Sequence, residues 1–127
     1  MSRESSVKEV NATTAYSMIQ KGALLVDVRE AGEIERKAFD VTEFMSVPMS
    51  KFQSRIHEIP SDRKVILACH SGSRSSMASR MLVSHGHRKV HNLQHGMMSW
   101  EREGMPVKQQ PSQSPLAWLQ HLIRKQP

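Results

Sequence analysis

An apolar run of four residues, Val65–Ala68, leads directly into Cys69, the only cysteine of the chain. Small polar residues and one glycine follow at 70–75, and the stretch 76–84 has the pattern of a helix. A strand, a tight loop and a helix start, in that order, gather backbone N–H groups that attract an anion. The sequence therefore predicts an anion-binding loop with a nucleophile at its mouth.

The chemistry of this loop depends on how much of the Cys69 thiol is ionised. A free thiol has a pKa of about 8.5, and only the thiolate is strongly nucleophilic. The loop N–H groups carry partial positive charge and Arg74 adds a full one, so we expect both to lower the pKa of Cys69. The alternative is a buried structural cysteine, but a polar loop is a poor surrounding for one. We therefore interpret Cys69 as a catalytic nucleophile.

Composition limits the classes of protein that need to be considered. The 127 residues suffice for one domain with a core, and 38% hydrophobic residues are typical of a soluble globular protein. The net charge of +6 suits small anionic substrates, whereas no nucleic-acid-binding motif and no transmembrane segment is present. Residues 1–6 lack the apolar core of a signal peptide, and a lone cysteine fits a reducing compartment. We expect a cytoplasmic protein that does not bind nucleic acid.

Short apolar runs alternate with helical patterns along the chain. Strands are predicted near residues 7–10, 23–28, 44–47, 65–68 and 89–93, and helices near 13–20, 50–57 (capped by Ser50), 76–84 and 97–103. Residues 31–43 show little pattern beyond a helical turn near 33–37. The alternation predicts βαβ units and hence an α/β fold with a parallel sheet. In such sheets ligands bind beyond the carboxyl ends of the strands, where we expect Cys69 to have Asp27 and Arg29 as neighbours.

Three motifs resemble the single-domain form of the rhodanese family of sulfurtransferases. They are residues 25–30 (LVDVRE), 69–75 (CHSGSRS), and 92–100 (NLQHGMMSW) with 104–107 (GMPV). The resemblance covers about residues 7–107, so 1–107 is interpreted as one rhodanese-like domain. It implies a parallel sheet of about five strands with helices on both faces. It also implies that a thiolate takes a sulfane sulfur from a donor, holds it as a persulfide, and passes it to cyanide or a thiol.

Carried over to this chain, the resemblance makes Cys69 the residue that carries the sulfur. The residues expected to hold the persulfide and the donor are His70, Ser71, Gly72, Ser73 and Arg74. The residues expected to support them are Asp27, Arg29 and Ser75. For Asp27 and Arg29, it is equally open that they form an ion pair that braces strand and loop. The implied partners are a small anionic sulfur donor, with thiosulfate favoured by Arg74 and the net charge, and a thiol or cyanide acceptor. No cofactor is implied.

Two stretches depart from the pattern of the family. Residues 38–43 (AFDVTE) stand where many relatives carry Gly-His-Ile-x-Gly-Ala. His95 stands where the family usually has the first of two glycines, and a positive φ there is unusual for histidine. We interpret His95 as an exposed turn residue, with a reach toward Cys69 as the alternative.

Other functions remain open at this point. Cysteine-dependent phosphatases and arsenate reductases also place a cysteine before a loop and an arginine, but the phosphatases need five residues between the two. This chain has four, 70–73, and the smaller ring suits a sulfur atom better than a phosphoryl group. A sulfur-carrier or interaction module that serves a protein partner is the other alternative.

The remaining features concern metals and the end of the chain. Four of the seven histidines lie between 85 and 95, but their spacing is unlike that of a zinc site, so no metal is predicted.

Residues 108–115 have the composition of a linker. Residues 116–127 are predicted to form an amphipathic helix, with Leu116, Leu119 and Ile123 on one face. We expect this helix to pack on its own domain or a neighbouring subunit; the alternative is that it docks through 116–125 on a protein partner or a membrane surface.

Overall fold

The computed structural model describes residues 7–110, so the predicted helix at 116–127 and most of the predicted linker lie outside the described residues. The strands are β1 (Val7–Val10), β2 (Leu24–Asp27), β3 (Lys37–Phe39), β4 (Phe44–Ser46), β5 (Val65–Ala68), β6 (Val90–Leu93) and β7 (Val107–Gln109). The α-helices are α1 (Ala12–Gln20), α2 (Ala31–Arg36), α3 (Phe52–Arg55), α4 (Ser73–Ser84) and α5 (Gly96–Arg102). Single 3-10 turns, Met49–Lys51 and Ile56–Glu58, flank α3. Within this range no helix has the length and hydropathy needed to cross a bilayer.

A sheet of five parallel strands forms the centre of the molecule, in the order β1-β6-β5-β2-β4. Strand β5 lies in the middle, and all four of its residues are buried, as are those of β2. Strands that are fully buried and almost entirely apolar are typical of parallel sheets that are covered on both faces. The predicted α/β fold is confirmed. Because the strands are parallel, the ends of β2 and β5 meet at one edge of the sheet, where Asp27 and Cys69 lie.

Successive side chains of each strand point to opposite faces, so the core has two layers. On one face, Val26 and Leu67 pack with Phe52 and Leu82, from α3 and α4. On the other face lie side chains from α1, α5 and the alternate strand positions, namely Ala15, Ile19, Leu25, Ile66, Met97 and Trp100. Helices therefore cover both faces, as predicted. The loops at the carboxyl edge are left to form a site.

The predicted capping of a helix by Ser50 is wrong. The Ser50 hydroxyl donates a hydrogen bond to Oε1 of Glu30 at 2.7 Å, and α3 begins only at Phe52. A cap would require the Ser50 oxygen to accept a backbone N–H of the helix, whereas here the hydroxyl donates to a carboxylate and ties the turn to the start of α2. The predicted apolar side of this segment, Phe52, Ile56 and Ile59, is buried.

A short antiparallel ribbon was not predicted from the sequence. Strands β3 and β7 pair with Lys37 opposite Gln109 and Phe39 opposite Val107. Phe39 packs edge-on against Trp100, with ring centroids 5.2 Å apart, and this contact anchors the ribbon to the core. The ribbon reaches residue 109 and thus extends two residues into the segment interpreted as a linker.

Candidate active site

Strand β5 delivers Cys69 to the carboxyl edge of the sheet, where its side chain is fully buried. The Sγ atom accepts a hydrogen bond from the Gly72 N–H at 3.0 Å and lies 3.4 Å from both the N–H and the hydroxyl of Ser75. Gly72 has φ +104°, a left-handed conformation that costs glycine little, and it is the N-cap residue of α4. The loop thereby wraps back over the sulfur, and its amides point inward, as predicted.

Hydrogen bonds outweigh burial in setting the ionisation of Cys69. Burial alone would raise the pKa of the thiol, because it penalises the charged form. The Ser75 hydroxyl and the N–H groups of Ser75, Gly72 and Ser71 act in the opposite direction and bring the pKa of Cys69 below its ordinary value. The thiol is therefore predisposed to ionise: the chief donors are Ser75 and the loop amides, and the Arg74 charge also interacts with Cys69, so both expected contributions are present.

The Ser75 hydroxyl has two acceptors within reach. Its Oγ lies 3.4 Å from Sγ of Cys69 and 3.2 Å from the carbonyl oxygen of Gly72, but a hydroxyl has one hydrogen to donate. A thiolate is the stronger acceptor of the two, so ionisation of Cys69 draws this hydrogen toward the sulfur. Ser75, which the sequence interpretation treated as a supporting residue, thus contacts the sulfur directly.

The start of α5 holds the other side of the loop. The N–H of Met97 donates to the carbonyl of Cys69 at 2.9 Å, and that of Met98 donates to the carbonyl of His70 at 3.1 Å. Gly96 has φ +51°, and any Cβ atom there would overlap the Cys69 carbonyl oxygen. These bonds turn the loop carbonyls toward α5 and leave the loop N–H groups facing Sγ. Sequence reasoning placed Gly96 ahead of a helix but missed its role in holding the loop.

Arg74 lies at the rim of the loop and is paired with a carboxylate. Its two terminal nitrogens each donate a hydrogen bond of 2.8 Å to Glu33 of α2, a bidentate ion pair between partly exposed side chains. Bonding to Arg74 lowers the pKa of Glu33 from 4.5 to about 2, so the carboxylate stays ionised near neutral pH. Glu33 was not singled out as a site residue from the sequence.

Asp27 and Arg29 form a buried ion pair next to the loop. Arg29 donates to both carboxylate oxygens of Asp27, the shortest of these bonds being 2.8 Å, and its Nη2 also donates to the carbonyl of Lys37 at 2.9 Å. The guanidinium lies 5.2 Å from the centre of the Phe39 ring. The pair thus braces β2 against the β3–β7 ribbon, whereas the ion pair left open in the sequence interpretation braces strand and loop.

The remaining predicted residues lie on the outside of the loop. His70, Ser71 and Ser73 are exposed, so their side chains face the solvent. His95 is also exposed and has φ +61°, which agrees with its interpretation as a turn residue. In residues 7–110, no group of three His, Cys, Asp or Glu side chains is placed to hold a metal ion.

Asn92 on β6 supports the loop from beneath. Its side-chain nitrogen lies 3.0 and 3.2 Å from the two carboxylate oxygens of Glu9, and 3.5 Å from the carbonyl of Gly72. The residue is buried, and its side-chain oxygen has no hydrogen-bond partner in the described residues. Asn92 therefore links β1 to the loop residue whose N–H contacts the Cys69 sulfur.

Comparisons with known proteins agree with this geometry. Residues 11–103 match the family described as rhodanese-like domain. A protein named sulfurtransferase from Allochromatium vinosum is 36% identical over 103 residues, which cover 77% of this chain and 94% of that protein. A protein named thiosulfate sulfurtransferase GlpE from Haemophilus influenzae is 27% identical over 106 residues, 80% of this chain and 95% of the relative. A crystal structure of a rhodanese-related protein from Thermoplasma volcanium superposes with a TM-score of 0.72 at 28% identity, covering 80% of this chain and 97% of that one.

Proposed function

This chain belongs to the rhodanese-like domain family, and we propose that it is a sulfurtransferase in which Cys69 carries the sulfur as a persulfide. The proposal is carried by the hydrogen-bond donors around the Cys69 sulfur. Three of them, the N–H of Gly72 and the N–H and hydroxyl of Ser75, are directed at Sγ. These groups favour the thiolate, and the thiolate is the form that attacks a sulfane sulfur.

The first half-reaction loads the cysteine. The Cys69 thiolate attacks the outer sulfur of the donor, and a new S–S bond forms as the S–S bond of the donor breaks. The leaving group departs with the bonding electron pair, as sulfite when the donor is thiosulfate. Arg74 and the exposed side chains of His70, Ser71 and Ser73 surround the entrance through which the donor arrives.

The second half-reaction regenerates the enzyme. Cyanide or a thiolate attacks the outer sulfur of the persulfide and leaves as thiocyanate or as a new persulfide. The Sγ atom of Cys69 recovers the electron pair of the broken bond. The N–H groups of Gly72 and Ser75, which already contact Sγ, stabilise the charge that returns to it. Asp27 and Arg29 are assigned a supporting role, because their ion pair ties β2 to the β3–β7 ribbon beside the site.

The donor and the acceptor belong to the proposal as well. The Haemophilus influenzae relative is named a thiosulfate sulfurtransferase, which makes thiosulfate the first donor to test here. Cyanide and small thiols are the simplest acceptors. If this chain is instead a carrier that serves a protein partner, Cys69 will load with sulfur but will release it slowly to small acceptors.

Steady-state kinetics test this proposal. We expect the purified protein to form thiocyanate from cyanide with thiosulfate or inorganic polysulfide as the donor. Double-reciprocal plots at several cyanide concentrations should be parallel, as two-step covalent catalysis requires. Cys69→Ser should form none, and p-nitrophenyl phosphate should not be hydrolysed. Thiocyanate formation by Cys69→Ser at the wild-type rate, or phosphate hydrolysis in place of sulfur transfer, would refute the proposal.

A further inference from the structure

Three positive side chains near the loop and the β3–β7 ribbon are already paired with carboxylates within the protein. Arg74 donates to both carboxylate oxygens of Glu33. Arg29 is paired with Asp27. Lys37 donates to Glu101 at 2.7 Å. An anion that approaches Cys69 therefore meets a guanidinium whose charge is largely cancelled. This differs from the expectation that Arg74 would favour a strongly anionic donor.

We propose that Glu33 sets the charge of the preferred sulfur donor: by occupying Arg74 it makes the entrance favour an organic persulfide with one negative charge at most over the thiosulfate dianion. This inference rests on the proposed sulfurtransferase function and names the donor class for the same site. Glu33 acts through Arg74 and the local potential and has no contact with the sulfur, so it is a positioning and specificity residue.

The argument is electrostatic. Thiosulfate brings two negative charges toward the Cys69 thiolate, and Arg74, the guanidinium that interacts with this thiolate, is already paired with the Glu33 carboxylate. A persulfide R–S–S–H or its monoanion brings at most one charge, which the inward-facing N–H groups of Gly72 and Ser75 can accommodate. Repulsion by one fixed carboxylate scales with the charge of the donor, so it disfavours the dianion about twice as strongly as the monoanion.

The reaction of Cys69 with an organic persulfide donor is balanced in atoms and in charge. The Cys69 thiolate attacks the outer sulfur of R–S–S–H, the S–S bond of the donor breaks, and R–S⁻ leaves with the electron pair. The outer sulfur and its proton remain on Cys69 as Cys–S–S–H. Cyanide then takes this sulfur and forms thiocyanate, while Sγ returns to the thiolate and the proton passes to solvent. No oxidant or reductant is consumed.

The test compares two donors on matched variants. Thiosulfate and 2-hydroxyethyl persulfide, whose organic group is uncharged, are used with saturating cyanide, and the ratio of their kcat/KM values is measured. We expect Glu33→Gln to raise the ratio of thiosulfate to persulfide about five- to tenfold, mainly by lowering the KM for thiosulfate. Glu33→Asp, which keeps the charge, should leave the ratio within about twofold of the wild-type value.

A remote variant provides the control for overall charge. Glu58 pairs with Arg55 outside the site, so Glu58→Gln makes the same change in net charge without touching Arg74. It should leave the donor ratio unchanged, and activity with the persulfide shows that each variant is folded. A ratio that Glu33→Gln leaves unaltered, or that Glu58→Gln raises equally, would overturn the inference. Failure of both donors to load wild-type Cys69 would instead refute the sulfurtransferase function itself.

Discussion

Gly96 lies so close to the peptide carbonyl of Cys69 that a side chain on Gly96 would overlap the carbonyl oxygen. The same glycine has φ +51° and starts the helix whose N–H groups hold the carbonyls of Cys69 and His70. The position of the nucleophile thus depends on the absence of one methyl group at a residue 27 positions later in the chain.

The substitution Gly96→Ala should therefore displace the loop. We expect a loss of stability of about 2 kcal/mol or more and a large fall in sulfur transfer, because steric overlap and a strained φ act together. Gly32 is the matched control, since a Cβ atom there meets nothing within 4 Å and its φ is not left-handed. Urea denaturation of both variants checks this. Equal stabilities for Gly96→Ala and Gly32→Ala would contradict the packing described here.

The sequence predicted the strands that are buried on both faces far better than the elements at the edge. The runs in β2 and β5 are almost entirely apolar, which is a local signal that needs no knowledge of the fold. The β3–β7 ribbon has three residues in each strand, and its pairing partners lie about 70 positions apart. Its anchor, the contact between Phe39 and Trp100, exists only in the folded chain, so no local pattern could reveal it.

The candidate site shows the same division between local and distant information. Cys69, Gly72 and Ser75 lie within one continuous stretch, so the loop could be predicted from residue types and spacing. Glu33 lies 41 positions before Arg74, in a segment with little pattern, and no local feature indicates that the two residues pair. The carboxylate that pairs with Arg74 was therefore missed.

Removal of the Ser75 hydroxyl should make Cys69 harder to ionise. The hydroxyl is a principal cause of the lowered pKa of Cys69, so Ser75→Ala should raise that pKa. The reaction with iodoacetamide should then reach half its maximal rate at a higher pH, and the rate at pH 7 should fall about threefold. Ser79→Ala is the control, because Ser79 is equally buried but donates to the Ser75 carbonyl instead of the sulfur. A Ser75→Ala profile that coincides with that of the wild type would show that the hydroxyl does not act on the thiolate.

The buried pair of Asp27 and Arg29 should matter more to stability than an exposed pair. Asp27→Asn would leave the Arg29 charge buried without a counter-charge, at a cost of about 3–5 kcal/mol. Glu101→Gln breaks the exposed pair with Lys37 and should cost less than about 1 kcal/mol. Urea denaturation of the two variants measures both costs. Costs of similar size would mean that the Asp27–Arg29 pair does not brace the sheet edge.

The pair of Glu33 and Arg74 predicts a dependence of stability on pH. Because Arg74 lowers the pKa of Glu33 to about 2, the carboxylate stabilises the folded protein above its ordinary pKa of 4.5. This stabilisation is lost as the pH falls through about 2. Denaturant midpoints at several pH values should therefore show the wild type more stable than Glu33→Gln at pH 6, with the difference shrinking toward pH 2. A difference that does not change over this range would contradict the pairing.

The central claim is that Cys69 carries the transferred sulfur, and intact-protein mass spectrometry tests it most directly. After incubation with a sulfane-sulfur donor, the wild type should gain the mass of one sulfur atom, and cyanide should remove it. Cys69→Ser should show no gain. A wild-type mass that stays unchanged with thiosulfate, polysulfide and an organic persulfide, or an equal gain in Cys69→Ser, would contradict the account.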